Sequence, residues 1–180
     1  AVAAAAALRA RPLEAAELAA VAHALESVAP VAGRLQMRTL GGLMVIDDTY
    51  NANPRSVRAA LEAAHESARA SGARLIVALG DMLELGAIAP AMHAEVAADV
   101  IRLAPAAFIA VGPEMSAAVA DAAISGRARV LSAPDSAAAA GLVCALVRAG
   151  DVVLVKGSRG IRMERIIEAL GERFGNRTQN

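Results

Sequence analysis

Residues 43–54, LMVIDDTYNANP, lead from a short apolar run into the start of a helix. The run Leu43–Ile46 is continuously apolar, which predicts a strand buried on both faces. Asn53 can cap the helix, and Pro54 suits its first turn because the first N–H groups of a helix have no partner within it. A buried strand that leads directly into a helix is the repeating unit of a parallel α/β sheet.

The same unit recurs along the chain. Further apolar runs predict strands at residues 75–79, 108–111, 128–131 and 152–155. Helical patterns follow the strands, and the last helix carries Met163, Ile166, Ile167 and Leu170 before a polar tail that begins at Gly171. This alternation predicts an α/β, Rossmann-like fold, in which a mostly parallel sheet has helices on both faces.

The residues before Arg34 follow a different pattern. Strong helix formers fill residues 1–8, apolar side chains recur at helical spacing over residues 18–25, and Pro30 and Gly33 end this pattern. We therefore expect residues 1–33 to be a short helical stub, the truncated end of a preceding domain. Residues 34–180 are expected to form the Rossmann-like domain.

The composition excludes several classes of protein. The 180 residues have a formal net charge of zero, one tyrosine, two phenylalanines and no tryptophan, unlike a nucleic-acid-binding protein. The longest run without a charged residue, 136–147, is shorter than the roughly 20 residues of a membrane-spanning helix. The lone Cys144 excludes an internal disulfide, and no Cys/His set has zinc spacing. We expect no nucleic-acid partner, no membrane insertion and no metal ligands in this chain.

Three loops that follow predicted strands carry most of the unusual polar residues: Asp47–Pro54, Gly80–Gly86 and Lys156–Arg159. In a parallel sheet, ligands bind at the carboxyl ends of the strands. The predicted topology brings these three loops to one edge, so the sequence predicts a binding site there.

The first loop offers two adjacent acids and the only tyrosine. Asp47 and Asp48 cannot point the same way, so one acid caps a turn and the other faces the crevice. There it can accept the hydroxyls of a ribose or hold a metal ion through water. Tyr50 can stack on a base or a peptide, or it can anchor the loop. Asn51 and Asn53 are interpreted as turn and cap residues.

The other two loops also have alternative interpretations. Asp81 and Glu84 lie in a glycine-bracketed loop that either closes over a ligand or is a plain surface loop. His93, in the next helix, is interpreted as a half-buried helper rather than a catalyst. Lys156 and Arg159 flank a small polar pair at the predicted start of a helix. The free N–H groups there favour a carboxylate or phosphate, although a simple helix cap is the alternative.

The motifs together resemble a known family. They are GRLQ at 33–36, VIDDTYNANPRS at 45–56, ALGDMLELG at 78–86, His93, VLVKGSR at 153–159, and Met163 with Glu164. The series resembles the carboxyl-terminal domain of the MurF-type Mur ligases over residues 33–170. These are the UDP-N-acetylmuramoyl-tripeptide–D-alanyl-D-alanine ligases of bacterial peptidoglycan synthesis.

The resemblance implies ATP-dependent amide bond formation through an acyl phosphate, in the bacterial cytoplasm. ATP and Mg²⁺ would be shared with a central domain, and a further domain would bind the UDP-N-acetylmuramoyl-tripeptide. It also implies site residues. Arg34, Asp48, Tyr50 and Asn51 match the nucleotide side, and Lys156, Ser158 and Arg159 match the segment that faces D-alanyl-D-alanine. Asp81, Glu84 and His93 match the family pattern without an assigned role, and no catalytic residue is expected within this chain.

Other functions stay open at this point. They are another amino-acid-adding Mur ligase, a folylpolyglutamate-type ligase domain, a non-catalytic nucleotide-binding module, and a structural remnant. The phosphate-binding pattern G-x-x-x-x-G-K-[ST] is absent from the chain. We therefore expect these 180 residues to be inactive as a ligase by themselves.

Overall fold

The computed structural model describes residues 14, 17, 18, 32–120 and 129–175. The chain divides into two compact units, Ala1–Val31 and Ala32–Asn180. The predicted helical stub lies almost entirely outside the described residues, and so do the last five residues of the chain. The sequence also predicts a helix over residues 114–124, and its end, from residue 121 on, lies outside the described residues. These expectations stay predictions.

The described residues of the second unit build a six-stranded sheet. Its strands are β1 Gln36–Leu40, β2 Leu43–Asp48, β3 Leu75–Gly80, β4 Ala107–Val111, β5 Arg129–Ala133 and β6 Val152–Lys156. The spatial order is β1-β2-β6-β3-β4-β5, and every neighbouring pair is parallel except β1 with β2. The last strand in sequence, β6, therefore lies inside the sheet between β2 and β3. The predicted mostly parallel sheet is confirmed.

Strand β1 was not predicted. It pairs antiparallel with β2 through a tight connection at Gly41 and Gly42, both in the left-handed region with φ of 54° and 84°. Its side chains alternate between half-buried and exposed, because β1 is the edge strand and only one of its faces packs on the core. An edge strand of this kind has no continuous apolar run, so the pattern that identified the buried strands could not find it.

Five described helices cover the two faces of the sheet. They are α1 Pro54–Ser71, α2 Ala89–Arg102, α3 Pro113–Ala120, α4 Ser136–Leu146 and α5 Glu164–Phe174. Side chains alternate along each strand, so the sheet contributes to two cores. In β6, Leu154 packs in the core with α1, α2 and α3, whereas Val153 and Val155 pack in the core with α4 and α5. None of the described helices is both long and apolar enough to cross a membrane.

Helix α1 forms as its sequence predicts. Asn53 caps it by accepting a hydrogen bond from the Ser56 N–H at 2.8 Å, and the Ser56 hydroxyl accepts one from the Asn53 N–H at 3.1 Å. Gly72 ends the helix in the left-handed region with φ of 65°. The apolar residues at helical spacing predict an inward face, and all of its members are buried: Val57, Ala60, Leu61, Ala64 and Ala68.

The end of the chain differs from the expectation. Helix α5 continues through Gly171, where a polar tail was predicted, and ends at Phe174. A glycine inside a helix costs roughly 0.5–1 kcal/mol relative to alanine. Packing of the Phe174 side chain against the core of α4 and α5 offsets this cost and extends the helix. Cys144 lies in an apolar stretch, which predicts a packing role; it is buried in α4, and burial raises the pKa of its thiol.

An ion pair joins the amino ends of β3 and β6. Arg74 donates from Nε to Asp151 Oδ1 at 2.9 Å and from Nη2 to Asp151 Oδ2 at 2.6 Å. The same guanidinium donates to the Leu146 carbonyl at 3.2 Å, and the Arg148 N–H donates to Asp151 Oδ2 at 2.9 Å. Hydrogen bonding to Asp151 raises the pKa of Arg74 above its ordinary value. These hydrogen bonds therefore hold the amino end of β6 beside the amino end of β3.

We predict that Asp151→Asn lowers the free energy of unfolding by about 1–3 kcal/mol, because a buried acceptor network loses its charge and half of its bidentate geometry. Urea unfolding followed by circular dichroism measures the change. Glu62→Gln, at an exposed position on α1, is the control and should shift stability by less than about 0.5 kcal/mol. Equal effects of the two substitutions would contradict the prediction.

A second ionic cluster joins α1 to α2. Arg58 on α1 pairs with Asp99 at 2.7 Å and Glu95 at 3.0 Å, and Arg102 pairs with Asp99 at 2.9 Å. Burial by itself would raise the pKa of Asp99, but hydrogen bonds from Arg58 and Arg102 outweigh burial and hold this pKa below its ordinary value. Ionised Asp99 therefore stabilises the contact between the two helices.

Because the folded pKa of Asp99 is lowered, its contribution exists above the unfolded pKa of about 3.9 and is lost as the pH falls through the folded value. We predict that Asp99→Asn costs about 0.5–1 kcal/mol at pH 7 and progressively less in acid. Urea unfolding at pH 7 and at pH 3 measures the difference. Arg69→Gln, at an exposed position of α1, is the control, and an equal loss at both pH values would show that the charge of Asp99 is not the cause.

Candidate functional site

The three polar loops meet at the carboxyl edge of the sheet. Strands β2, β6 and β3 are neighbours, so the residues that follow them are adjacent. Asp48 at the end of β2 lies opposite Lys156 at the end of β6, and Leu79 near the end of β3 lies on the other side of Lys156. The order of the strands thus produces the juxtaposition that the sequence pattern predicts.

A buried ion pair links the ends of β2 and β6. Lys156 Nζ lies 2.5 Å from Asp48 Oδ2 and donates to the Asn51 carbonyl at 2.8 Å. Lys156 is only 1% exposed and Asp48 7%. A charge at such depth is tolerated only when it is paired and hydrogen-bonded. Each of the two side chains therefore depends on the other.

Asp48 also holds the chain that enters the domain. Its Oδ1 accepts a hydrogen bond from the Leu35 N–H at 3.0 Å. Leu35 has a φ of 46°, a left-handed conformation that costs a residue with a Cβ roughly 1–2 kcal/mol. The bond to Asp48 helps to maintain this conformation, and the preceding residue is Arg34. The carboxylate of Asp48 thus sets the backbone from which Arg34 projects.

A first cleft of about 410 Å³ opens above the ion pair. Its walls include all four residues expected on the nucleotide side, together with Lys156: Arg34, Asp48, Tyr50, Asn51 and Lys156. Asn53 and Ser56, the capping pair of α1, complete the rim. The cleft combines cations, a carboxylate and an aromatic ring within one cavity.

A second cleft of about 240 Å³ adjoins the first and shares Tyr50 and Asn51 with it. Its other walls come from the loop after β3 and the loop after β6: Leu83, Glu84, Ser158, Arg159 and Gly160. Ser158 is buried, and its hydroxyl accepts a hydrogen bond from the Leu83 N–H at 2.8 Å. This bond joins the two loops that form the cleft.

Tyr50 stands between the two clefts. The guanidinium carbon of Arg34 lies 4.3 Å from the centroid of its ring, and that of Arg159 lies 5.3 Å from it. Such distances are typical of cation–π contacts. One ring therefore orders a cation of the first cleft and a cation of the second.

Lys156 differs from its expected grouping. It lines the first cleft and is engaged by Asp48, whereas Ser158 and Arg159 line the second. The sequence predicted that an α-helix begins at this loop, but the structure shows no α-helix start there. A short 3₁₀ turn, Arg159–Ile161, follows Ser158, and α5 begins only at Glu164. The anion-binding contribution expected from a helix amino end is therefore absent at this loop.

The two acids of the β2 end have separate tasks. The Thr49 hydroxyl donates to Asp47 Oδ1 at 2.8 Å, and Arg38 Nη2 lies 3.2 Å from Asp47 Oδ2. Asp47 therefore stabilises the turn and the edge strand, while Asp48 faces the first cleft. The residue pattern predicted this division of the pair without assigning the two tasks, and the family resemblance placed Asp48 on the nucleotide side.

Asp81 and Glu84 lie in the same loop but have different environments. Asp81 is 2% exposed, and its carboxylate accepts a hydrogen bond from the Met115 N–H at 2.8 Å in the first turn of α3. Gly112 leaves room for it, since a Cβ there would lie within 2.6 Å of Asp81 Cγ. Glu84 is exposed in the wall of the second cleft, with φ of 68°. Asp81 is thus a structural cap.

His93 is completely buried rather than half-buried. Its Nε2 accepts from the Met82 N–H at 2.9 Å, and its Nδ1 lies 2.7 Å from the Ala89 carbonyl. It reaches the loop through the backbone and does not line either cleft.

Sequence reasoning missed two groups of the site. The backbone N–H of Leu35 is used by Asp48, and a left-handed leucine leaves no signal in the sequence. Leu83 lines the second cleft and is 44% exposed. The sequence feature that could have identified it is an apolar residue beside acids in a glycine-bracketed loop.

Comparison with known proteins agrees with the motifs. A family model described as "Mur ligase, glutamate ligase domain" matches residues 33–159. The chain is 38% identical over 173 residues to the UDP-N-acetylmuramoyl-tripeptide–D-alanyl-D-alanine ligase of Mycobacterium tuberculosis (strain CDC 1551 / Oshkosh). That match covers 83% of this chain and 33% of the ligase, so the chain spans about a third of the length of this relative.

Two solved structures share the fold. A crystal structure of MurF from Acinetobacter baumannii has a TM-score of 0.74 at 28% identity, covering 87% of this chain and 34% of that one. The MurF ligase from Thermotoga maritima, in complex with ADP, has a TM-score of 0.67 at 26% identity, covering 91% and 38%. The family match extends over more than half of the residues and confirms the resemblance seen in the motifs: this chain belongs to the Mur ligase family.

Proposed function

We propose that this chain is the carboxyl-terminal domain of an ATP-dependent ligase that adds D-alanyl-D-alanine to UDP-N-acetylmuramoyl-tripeptide in bacterial peptidoglycan synthesis. The observation that carries the proposal is the pair of adjoining clefts that share Tyr50. An amide-forming ligase must hold a nucleotide and an incoming amine close together, and two joined clefts at the carboxyl edge of a parallel sheet suit that task. The names of the relatives support the choice of substrates.

The first cleft supports nucleotide binding. Asp48 presents carboxylate oxygens that can accept hydrogen bonds from ribose hydroxyls, and its negative charge is balanced by Lys156. Arg34 supplies a guanidinium for phosphate oxygens. A volume of about 410 Å³ lies within the range of cofactor pockets. The relative from Thermotoga maritima was solved with ADP, which supports ATP as the nucleotide.

The second cleft supports binding of the dipeptide. Arg159 can hold the carboxylate of D-alanyl-D-alanine, since a guanidinium matches a carboxylate in geometry and charge. Leu83 gives the cleft an apolar wall for methyl side chains, and the volume of about 240 Å³ suits a small ligand. In this proposal Ser158 supports the wall through Leu83 rather than holding the dipeptide directly.

The proposed reaction has two steps. The terminal carboxylate of the sugar-tripeptide attacks the γ-phosphorus of ATP, which yields an acyl phosphate and ADP. The amino group of D-alanyl-D-alanine then attacks the acyl carbon, and the C–O bond breaks to release phosphate and leave an amide. The residues of this chain bind and orient the nucleotide and the amine, so their contribution is positioning.

Magnesium is the metal that the family resemblance implies. Within residues 32–120 and 129–175, no three His, Cys, Asp or Glu side chains are grouped closely enough to hold a metal ion. Asp48, the acid of the first cleft, is already engaged by Lys156. The residues described here do not fit a metal site, and we assign no step to a metal held by this chain. The remaining part of a longer ligase would supply it, together with the sugar-binding groups.

We predict that the two ligands perturb separate amides of the 180-residue chain. In ¹H–¹⁵N spectra, millimolar ADP should shift Leu35, Asn53 and Ser56, because these residues line the first cleft and not the second. D-alanyl-D-alanine should shift Leu83, Glu84 and Gly160 in the second. Arg159→Met should weaken dipeptide binding about tenfold, as expected for the loss of a charged hydrogen bond.

The matched control is Arg162→Met, three residues further on, where the arginine is exposed and borders neither cleft. This variant should bind both ligands like the unaltered chain. A dipeptide whose carboxyl group is converted to an amide should bind the unaltered chain as weakly as the free dipeptide binds the Arg159→Met variant. Shifts at neither cleft, or dipeptide shifts confined to the first cleft, would refute the assignment of the two ligands.

We also predict that the chain confers dipeptide ligation only as part of a longer ligase. Residues 32–180 of this chain replace the equivalent segment of the full-length Mycobacterium tuberculosis relative. Phosphate release by this chimera is measured with ATP, sugar-tripeptide and dipeptide. The chimera should require D-alanyl-D-alanine and reject L-lysine and D-glutamate, because the second cleft selects the amine. The 180-residue chain alone should release no phosphate, and turnover by it at the rate of the intact relative would contradict the proposal.

A further inference from the structure

The loop between β3 and α2 is held by its backbone at successive residues. The Asp81 N–H donates to the Val111 carbonyl at 3.1 Å, and the Asp81 carbonyl accepts from the Ser158 N–H at 3.1 Å. The Leu83 N–H donates to Ser158 Oγ at 2.8 Å. Between them, the Met82 N–H donates to His93 Nε2 at 2.9 Å. Of these four hydrogen bonds, the one to His93 connects the loop to α2, the helix that follows it.

The partners of His93 determine its protonation. The Ala89 carbonyl can only accept a hydrogen bond, so the Nδ1 atom that lies 2.7 Å from it must carry a proton. The Met82 N–H can only donate, so Nε2 must be unprotonated. This geometry requires the neutral imidazole with its proton on Nδ1. The ring is 0% exposed, so water cannot replace either partner.

Histidine suits this position for a physical reason. The hydrogen-bond acceptor for the Met82 N–H is a side chain on α2. It must be uncharged, because an unpaired carboxylate at this depth would carry a large desolvation cost. An imidazole accepts on one nitrogen while the other is satisfied by the first carbonyl of the helix. His93 thus closes the loop onto its own helix without introducing a charge.

We propose that His93 is a positioning residue for the second cleft. By holding Met82, it fixes the wall in which Leu83 faces the ligand and Glu84 keeps its left-handed conformation, with φ of 68°. It acts through the backbone and touches no substrate. The identity of the ligand in this inference rests on the proposed function, in which the second cleft takes D-alanyl-D-alanine.

The test uses three variants of the 180-residue chain. His93→Leu keeps an apolar side chain of similar size and removes the acceptor. His93→Gln can place its amide oxygen near the position of Nε2 and is the rescue variant. His65→Gln alters a half-buried histidine on α1, far along the sequence from the loop and outside both clefts, and is the matched control.

We expect the following results. Long-range ¹H–¹⁵N spectra of the unaltered chain show His93 with its proton on Nδ1. His93→Leu accelerates hydrogen exchange of the Met82 amide and weakens dipeptide binding, each about tenfold. His93→Gln recovers most of both losses, and His65→Gln changes neither. ADP shifts at Leu35 and Ser56 are preserved in every variant, which a general loss of structure would not allow.

Other results overturn the inference. A proton on Nε2 of His93 would contradict the hydrogen-bond assignment even if His93→Leu failed to fold. A folded His93→Leu chain with unchanged Met82 exchange and unchanged dipeptide affinity would show that the ring positions nothing. If the unaltered chain bound no dipeptide, the proposed function would fail at the second cleft. Hydrogen exchange of the Met82 amide would then decide the positioning role by itself. The differences in the Leu83 and Glu84 amide shifts between the unaltered chain and His93→Leu would decide it independently of any ligand.

Discussion

The buried ion pair between Asp48 and Lys156 is the interaction on which the site depends, because it joins three parts of the chain that are distant in sequence. Lys156 ends the central strand β6, Asp48 ends its neighbour β2, and the second oxygen of Asp48 holds the Leu35 N–H. Neither charge is tolerable at this depth without the other. The pair therefore aligns the first cleft with the sheet and sets the backbone next to Arg34. It also engages two of the three N–H donors of Lys156, which go to Asp48 and to the Asn51 carbonyl.

The second cleft is built on a different principle. Its loops are held by neutral backbone contacts to Ser158 and His93 and by the cap that Asp81 provides for α3. Polar residues that a pattern search groups as one motif thus divide into three kinds. Arg159 and Glu84 face the cleft, Ser158 and His93 support its wall, and Asp81 stabilises a neighbouring helix. Tyr50 connects this cleft to the first through its contacts with Arg34 and Arg159.

Most of the fold was predictable because it follows from local rules. Continuous apolar runs identified the buried parallel strands, and the inward face of α1 was correct at every position. Strand β1 escaped because an edge strand is only half buried. The extension of α5 past Gly171 escaped because it depends on packing of Phe174 against residues far away in sequence. In the site, the loops were found, but the pairing of Lys156 with Asp48, in a different cleft from Arg159, was not, since the partner of a buried charge is a long-range property.

The sequence by itself determined the alternation of strands and helices, the loops that carry the polar chemistry and, through its motifs, the family. Each of these depends on residue type and spacing along the chain. Only the tertiary structure decided that β6 enters between β2 and β3, that Asp48 rather than Asp47 meets Lys156, and that His93 holds the backbone of Met82. These facts depend on which distant groups meet at depths where unpaired polar atoms are costly, and spacing along a chain carries no information about such encounters.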